Sequence, residues 1–392
     1  GVNIVTSVNG IRRVFMRSKL LRSALAVMFA LSAVAADAAE SGQSATQVSG
    51  RMYIQWMKQM STPAADEGEH QNSFQIQRAY LQFRHQLDQV WSVKVTLDAG
   101  NDAGGSDTRY LVYIKNAYVQ TKIGTGAVNL IMQFGMISTA VSGFIDNVSD
   151  YRWLNNNYIE GSKKILAKSS TELGQTIEVS ADMGVSAEFQ VAGMVTVAAQ
   201  VTNGEGYKKT DEETSGDDGK AYLGMVAIQP VTGLHIAGYL RHQITDDGRD
   251  NDNYIRYYGG TLAYSTDLIR IGASYVVVRK RTLAWPYDGI VSETDYTIID
   301  AFLNMNLQSV AGVPILLTGR YARGESEFDD AAGTDVTTTL WAAGLGYRFS
   351  KNVRFMAYYE VYTAETNLTP SSTTLDYTDD EETFYIKCEV TF

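Results

Sequence analysis

The sequence predicts an all-β chain: a closed antiparallel transmembrane β-barrel of about sixteen strands. Three observations carry this expectation. The chain ends in FYIKCEVTF, which alternates without a fault to its last residue, Phe392. Upstream, amphipathic segments recur, joined in turn by tight turns and by long polar loops. The front of the chain reads as a secretory leader. In the last segment Phe384, Ile386, Cys388, Val390 and Phe392 share one face, and Tyr385, Lys387, Glu389 and Thr391 share the other. A period of two with one apolar face is a half-buried strand.

The leader is MRSKLLRSALAVMFALSAVAADA, residues 16–38. Arg17, Lys19 and Arg22 supply its positive start, Leu25 to Val34 its short apolar stretch, and Ala36-Asp37-Ala38 its small-residue cleavage pattern. The stretch is too short to cross a bilayer as a mature helix. A buried core helix would not place its charges this way. Residues 1–15 fit no targeting pattern and read as an over-extended start ahead of Met16. The barrel is expected to occupy residues 39–392.

The whole chain has 392 residues and a formal charge of −11. Removing residues 1–38 takes away Arg12, Arg13, Arg17, Lys19, Arg22 and Asp37, five bases and one acid, and moves the charge to −15. So acidic a chain is a poor partner for nucleic acid. The single Cys388 excludes an internal disulfide. No apolar run of about 18 residues follows the leader, so no membrane-crossing helix is expected. Tyr is abundant, at 24, which suits membrane–water interfaces.

The strands are expected at 46–58, 73–86, 90–100, 109–122, 127–136, 179–190, 193–203, 220–229, 233–245, 254–265, 268–280, 296–308, 313–323, 335–349, 351–364 and 381–392. Short links such as LDQV, GTG and Ala192-Gly193 alternate with polar loops such as NDAGGSDT and GEGYKKTDEETSGDDG. An even strand number with short turns at one end and long loops at the other is the pattern of outer-membrane barrels. Inside lipid every backbone N–H and C=O needs a partner, so an open sheet edge is excluded and the sheet must close. Alternation then sorts the side chains. Trp91, Val93, Val95 and Leu97 oppose Ser92, Lys94, Thr96 and Asp98. Val128, Leu130, Met132 and Phe134 oppose Asn129 and Gln133. Val353, Phe355, Ala357, Tyr359 and Val361 oppose Arg354, Tyr358 and Glu360. A polar inner face implies a wet lumen, and about sixteen strands leave an aqueous channel.

Passive diffusion of small hydrophilic solutes is therefore the expected function. The third long loop, 137–178, is the longest connection. A connection of this length is functional as a rule. It is expected to fold into the lumen and narrow it, rather than rest on the rim. Basic residues recur on the inferred inner faces: Arg78, Arg84, Lys94, Arg241, Arg270, Arg320, Arg354 and Lys387. On the lipid face an arginine at the midplane would cost about 2–4 kcal/mol, so these point inward. Basic residues lining a pore favour anions. The alternative is that they pair with inward acids such as Asp98, Asp300, Glu360 and Glu389. Many other acids, including Asp379, Asp380, Glu381 and Glu382, are read as lying in loops.

Several pieces resemble the phosphate-selective porin O/P family and related outer-membrane porins. They are FQIQRAYLQFRHQL (74–87), IKNAYVQTKIG (114–124), FGMISTAVSGFIDNVSDYRWLNN (134–156), SADMGVSAEF (180–189) and VTNGEGYKK (201–209). The resemblance implies a sixteen-strand outer-membrane barrel of a Gram-negative bacterium, usually trimeric, with the third loop folded inward. It also implies an anion preference, phosphate-like, that rests on a ladder of arginines and a lysine cluster. Arg78 falls on the family's arginine position in strand two, and Arg152 lies in the loop-three match. The terminal Phe392 looks like the signal that barrel-assembly machinery recognises. Outer-membrane lipid, and lipopolysaccharide bridged to the acidic loops by divalent ions, are the other expected partners.

Two rivals can be weighed. An outer-membrane hydrolase needs a nucleophile, a base and an orienting carboxylate close together. The only histidines are His70, His85, His235 and His242, and they do not converge in sequence; His235 and His242 fall on opposite faces of one strand. The loop TDDGRDND misses the spacing of a calcium loop. No catalytic residue, cofactor or metal site is expected. An adhesin or structural barrel would need a binding surface on its external loops, which are short and acidic.

Overall fold

The computed structural model describes residues 46–61, 72–101, 110–125, 127–161, 177–208, 219–245, 253–283, 291–308, 312–328, 335–367 and 377–392. The leader and the segment before it lie outside these residues, as does His70. Sixteen strands run in chain order: β1 (Gln47–Ser61), β2 (Asn72–Gln86), β3 (Trp91–Asn101), β4 (Tyr110–Thr125), β5 (Val128–Ser138), β6 (Ala181–Val191), β7 (Val195–Thr202), β8 (Ala221–Val231), β9 (Leu234–Ile244), β10 (Tyr254–Ser265), β11 (Ile269–Leu283), β12 (Val291–Asn306), β13 (Ile315–Phe328), β14 (Asp335–Ser350), β15 (Val353–Asn367) and β16 (Tyr377–Thr391). One helix, α1 (Ala140–Ser149), interrupts them between β5 and β6.

Each strand pairs antiparallel with its sequence neighbours, and β1 pairs with β16, so the sheet is a closed barrel. The last residue takes part in the closure. Gly50 N–H donates to the Phe392 carbonyl at 2.8 Å, and Phe392 N–H donates back at 3.0 Å. The alternation read from the sequence holds: Ser92, Thr96 and Asp98 are buried inside, and Trp91, Phe134, Phe355 and Ile386 are exposed outward. Outer aromatics gather near both rims, with Trp56 beside Phe74 and Phe384 at one end, and Phe349 between Tyr347 and Phe355 at the other. Rings of this kind sit at the headgroup level.

Three expectations need correction. β12 begins at Val291 and β16 at Tyr377, earlier than the alternation indicates, because pairing continues through Leu283↔Val291 and Glu365↔Thr378. There both faces are polar, and no periodicity remains to mark a strand. Asp379 to Glu382 thus belong to β16 and not to a loop. The tyrosines are not confined to the interfaces, since Tyr53, Tyr239, Tyr257, Tyr296, Tyr358 and Tyr362 are buried inside. Nor is the whole lumen wet, because part of it holds an apolar core.

Of the register shifts in the described strands, two alter the alternation on the β1–β4 wall. The β1–β2 register passes from Tyr53↔Arg78 to Ile54↔Ile76 and leaves Gln77 unpaired. The β3–β4 register passes from Thr96↔Asn116 to Leu97↔Ile114 and leaves Lys115 unpaired. A bulge sets two successive residues against one partner and re-aims a side chain.

β5 also contains a position that only glycine fits. Gly135 has φ +125°, and a Cβ there would lie 2.3 Å from the Ala117 carbonyl oxygen. Both the dihedral and the neighbouring backbone are fixed by the sheet. Gly135→Ala is expected to lower barrel stability by about 1–3 kcal/mol, read as a lower unfolding midpoint in detergent, whereas Gly143→Ala, a Cβ inside α1 that would meet nothing within 4 Å, should not lower it.

Candidate functional site

The third loop enters the barrel directly after β5. Val141, Ile145 and Val148, at helical spacing, form the buried face of α1. They pack on β10, β11 and β12. The residues they join, including Tyr257, Val276, Val278, Tyr296 and Ile298, face inward. Beyond the helix Tyr151, Trp153, Leu154, Tyr158 and Ile159 are buried as well. The Tyr158 and Tyr239 hydroxyls are hydrogen-bonded, and so are those of Tyr151 and Tyr358. Loop three therefore fills one side of the lumen with an apolar core of its own.

A helix inside a barrel has orphan N–H groups at one end and orphan carbonyls at the other. Neighbouring groups satisfy both ends of α1. Ala140 N–H donates to Gln200 Oε1 at 2.9 Å, and Ser142 N–H donates to Glu178 Oε1 at 3.2 Å. At the other end Arg270 donates to the Asn147 carbonyl at 2.5 Å, and Asn304 Nδ2 donates to the Ser149 carbonyl at 2.6 Å. A cation at the C-terminus and a carboxylate at the N-terminus also match the helix dipole.

The basic residues singled out by the sequence divide into two groups. Five of them meet loop three or its base. Arg241 donates to the Ile177 carbonyl at 2.7 Å, and Arg270 to Asn147. Arg320 donates to Asp300 at 2.6 Å and to the Asn156 carbonyl at 2.9 Å, and lies 4.9 Å over the Tyr151 ring. Arg354 bonds Asp150 at 2.6 Å and Glu389, and lies 4.2 Å over Trp153. Lys387 donates to the Leu154 carbonyl. Arg152, on the loop, pairs with Glu160 and lies 3.9 Å from Asp146. The inward acids Asp98, Asp300 and Glu389 are the partners of Arg78, Arg320 and Arg354. Glu360 accepts from Asn155 at 2.8 Å.

Arg78, Arg84 and Lys94 lie instead on the wall opposite the loop. Arg78 donates to Asp98 at 2.8 Å and to the Tyr207 hydroxyl at 2.9 Å. Arg84 and Lys94 stand directly across from each other on β2 and β3. The sequence reading missed two features here. Lys115, raised by its bulge, lies 4.8 Å over the Tyr80 ring and 5.7 Å over that of Tyr207. The start of the fourth loop also bends inward, where Tyr207 donates to Asp98 at 2.6 Å and meets Tyr113 edge-on at 6.2 Å. The signal for Lys115 was present, since Lys115-Asn116 sets two polar residues side by side in an alternating segment. Tyr207 carried no comparable signal. The Asp146–Arg152–Glu160 edge of loop three and the Arg78–Tyr80–Lys115 wall thus bound the open side of the lumen.

Burial decides the protonation of the loop's acids. It pushes Glu178 up to about 7, although Arg241, Thr139 and the Ser142 amide favour its charge. It opposes ionisation of Asp150 too, but Arg354 holds that group below the usual carboxylate range. Burial raises Asp146 to about 6 against the pull of Arg152.

The profile of a family described as phosphate-selective porin O and P matches residues 47–257, more than half of the chain. No curated protein sequence matches. Among solved structures, outer-membrane expressed OmpT of Vibrio cholerae is similar at 13% identity and TM-score 0.57, covering 89% of this chain and 98% of that one. An anion-selective porin from Comamonas acidovorans is similar at 12% identity and TM-score 0.57, covering 89% and 100%. The outer membrane channel DcaP of Acinetobacter baumannii is similar at 8% identity and TM-score 0.55, covering 89% and 97%. At these identities the likeness is one of fold.

Two expectations follow from the loop's anchors. Arg320→Met strands Asp300 and frees the Asn156 carbonyl; removing one partner of a buried pair costs about 3–5 kcal/mol. The variant should show a lower unfolding midpoint and noisier open-channel current in a planar bilayer. Glu178 takes up a proton more readily in the folded loop than its ordinary value of 4.5 allows. Its contribution to docking is therefore complete below pH about 4.5 and lost as the pH rises through about 7. Current noise should rise over that window, and in Glu178→Gln the part of the rise due to Glu178 should vanish.

Proposed function

The chain belongs to the phosphate-selective porin O and P family and is an outer-membrane porin, and we propose that its pore passes small hydrophilic solutes with a preference for anions. The observation that carries the preference is the stripe Arg84, Lys94 and Lys115 on adjacent strands. Among the described residues no carboxylate ion-pairs with any of the three. Arg84 and Lys94 stand directly across from each other on neighbouring strands. Like charges directly across a sheet are destabilising, so a fold gains nothing from this arrangement by itself. A passing anion would relieve it, exchanging part of its water for charge-assisted hydrogen bonds.

In this reading the nine basic residues act in two ways. Arg84 and Lys94, with Lys115, face the solute path, and Arg78 frames it through Asp98 and Tyr207. Arg241, Arg270, Arg320, Arg354 and Lys387 set its width by holding loop three, and Arg152 shapes the loop's open edge. The pore needs no catalytic group and no cofactor. Residues 16–38 serve as the leader, residues 39–392 form the mature barrel, and Phe392 is the residue the assembly machinery reads. The acidic outer loops meet lipopolysaccharide. The assembled form is a homotrimer; one OmpT structure of Vibrio cholerae is described as a trimer form.

Reversal potentials across a KCl gradient test the preference. The wild-type pore should be anion-selective in dilute KCl and lose selectivity toward 1 M, where the screening length falls to about 3 Å. Lys115→Gln combined with Lys94→Gln should shift the reversal potential toward cations, with single-channel steps retained. Cation selectivity of the wild type would refute the reading.

A further inference from the structure

We propose that the lumen carries a second solute site, a recess beneath α1 lined mainly by amides and hydroxyls, that takes uncharged, hydroxyl-rich solutes of the saccharide class. The recess measures about 460 Å³ and opens along β5 to β9, toward the end that bears the short turns. That volume lies within the range of small-molecule sites.

Its chemistry differs from that of the β2–β4 wall. Gln133, Asn147, Ser186, Thr196, Gln200 and Gln229 line it, and neither lysine nor arginine does. Amides and hydroxyls both donate and accept, as sugar hydroxyls do. Glu188 is the one acidic residue in the lining, and the nearby cation Arg270 is already engaged by the Asn147 carbonyl, so the lining itself offers an anion no free positive charge. Gln133 illustrates the arrangement: its amide donates to Gln120 at 2.9 Å, and its carbonyl accepts from Ser186 at 3.4 Å. These contacts fix the amide group, and it still lines the recess. Phe144, edge-on to His235 at 6.4 Å, adds apolar surface for the C–H face of a sugar ring.

Gly143 supplies the second observation. It sits inside α1, where glycine weakens a helix relative to alanine. Packing does not require it, since a Cβ there would meet nothing within 4 Å. Gly143 and Asn147, one turn apart, are both exposed on the helix face toward the recess. A bare backbone at that point keeps the recess open beside the Asn147 amide.

The test uses maltose as the probe on the full-length pore in a planar bilayer in KCl. Maltose should interrupt the current in a concentration-dependent way. Gly143→Met, whose Cβ would meet nothing within 4 Å, puts a flexible side chain into the recess and should weaken the interruption about tenfold. Gln133→Met and Gln229→Met should each weaken it about fivefold, the loss of one hydrogen bond. Unblocked KCl steps establish that each variant has folded, and if Gly143→Met gives none, the two glutamine variants decide. Absence of any maltose effect on the wild type, or equal effects on wild type and variants, would overturn the proposal. So would phosphate block that is lost in the same variants, because the recess would then be an anion site. Selectivity for anions in the wild type is read separately, so this proposal can fail while that one stands.

Discussion

A chain segment folded inside a barrel keeps its place only if its backbone carbonyls find donors there. Water could supply some of them, but water would leave the segment free to move. Here Arg241, Arg270, Arg320 and Lys387 each donate to a carbonyl of loop three or its base, and Asn304 donates to another. The charge-assisted bonds among these are roughly twice as strong as neutral ones. The cost of burying a guanidinium is met in part by an acid on the wall, as with Arg320 and Asp300. The apolar core around Tyr158, Ile145 and Val276 can form only once those groups are satisfied.

Because these carbonyl donors lie on β9 to β16, the loop is drawn to one side. The lumen is thus divided. On β7 to β15 it resembles the interior of a soluble domain, with buried tyrosines whose hydroxyls reach other hydroxyls, as Tyr239 does with Thr261 at 3.1 Å. On β2 to β4 the inner face instead carries Arg84, Lys94 and Lys115, none of them ion-paired with a carboxylate among the described residues. One protein thereby builds a core and a channel from a single layer of sheet. This is why a polar inner face in the sequence does not translate into a uniformly wet lumen.

The barrel was legible because its signal is local. Alternation on 90–100 or 381–392 depends on lipid on one side and protein or water on the other, and neither needs knowledge of distant residues. The strand ends were less legible, as Asp379 to Glu382 show, because above the lipid both faces are polar. The roles of the basic residues were not legible. Their inward direction follows from the cost of charge in lipid, but their partners are long-range: Lys387 meets a carbonyl 233 residues away, and Arg354 an acid 204 residues away. Alternation says which way a side chain points and nothing about what it meets. Helix α1 escaped notice because Ala140–Ser149 is too short to announce itself, and its caps come from Gln200 and Glu178, distant in sequence.

The division between arginine and lysine follows the same logic. A guanidinium presents a planar fork that can serve a carboxylate and a carbonyl at once, as Arg320 does with Asp300 and Asn156. An ammonium is a compact, strongly hydrated point charge that exchanges partners easily. In this barrel the arginines on β9 to β15 hold the loop. The solute-facing wall keeps two lysines, Lys94 and Lys115, each resting on a tyrosine ring rather than a carboxylate. A ring steadies the cation without neutralising it, so the charge remains available to an ion in transit. Lysine at the Arg320 position would therefore lose one of the two bonds that define the anchor, although the charge would be unchanged. The pore depends on which cation stands at each place, and net charge alone does not describe it.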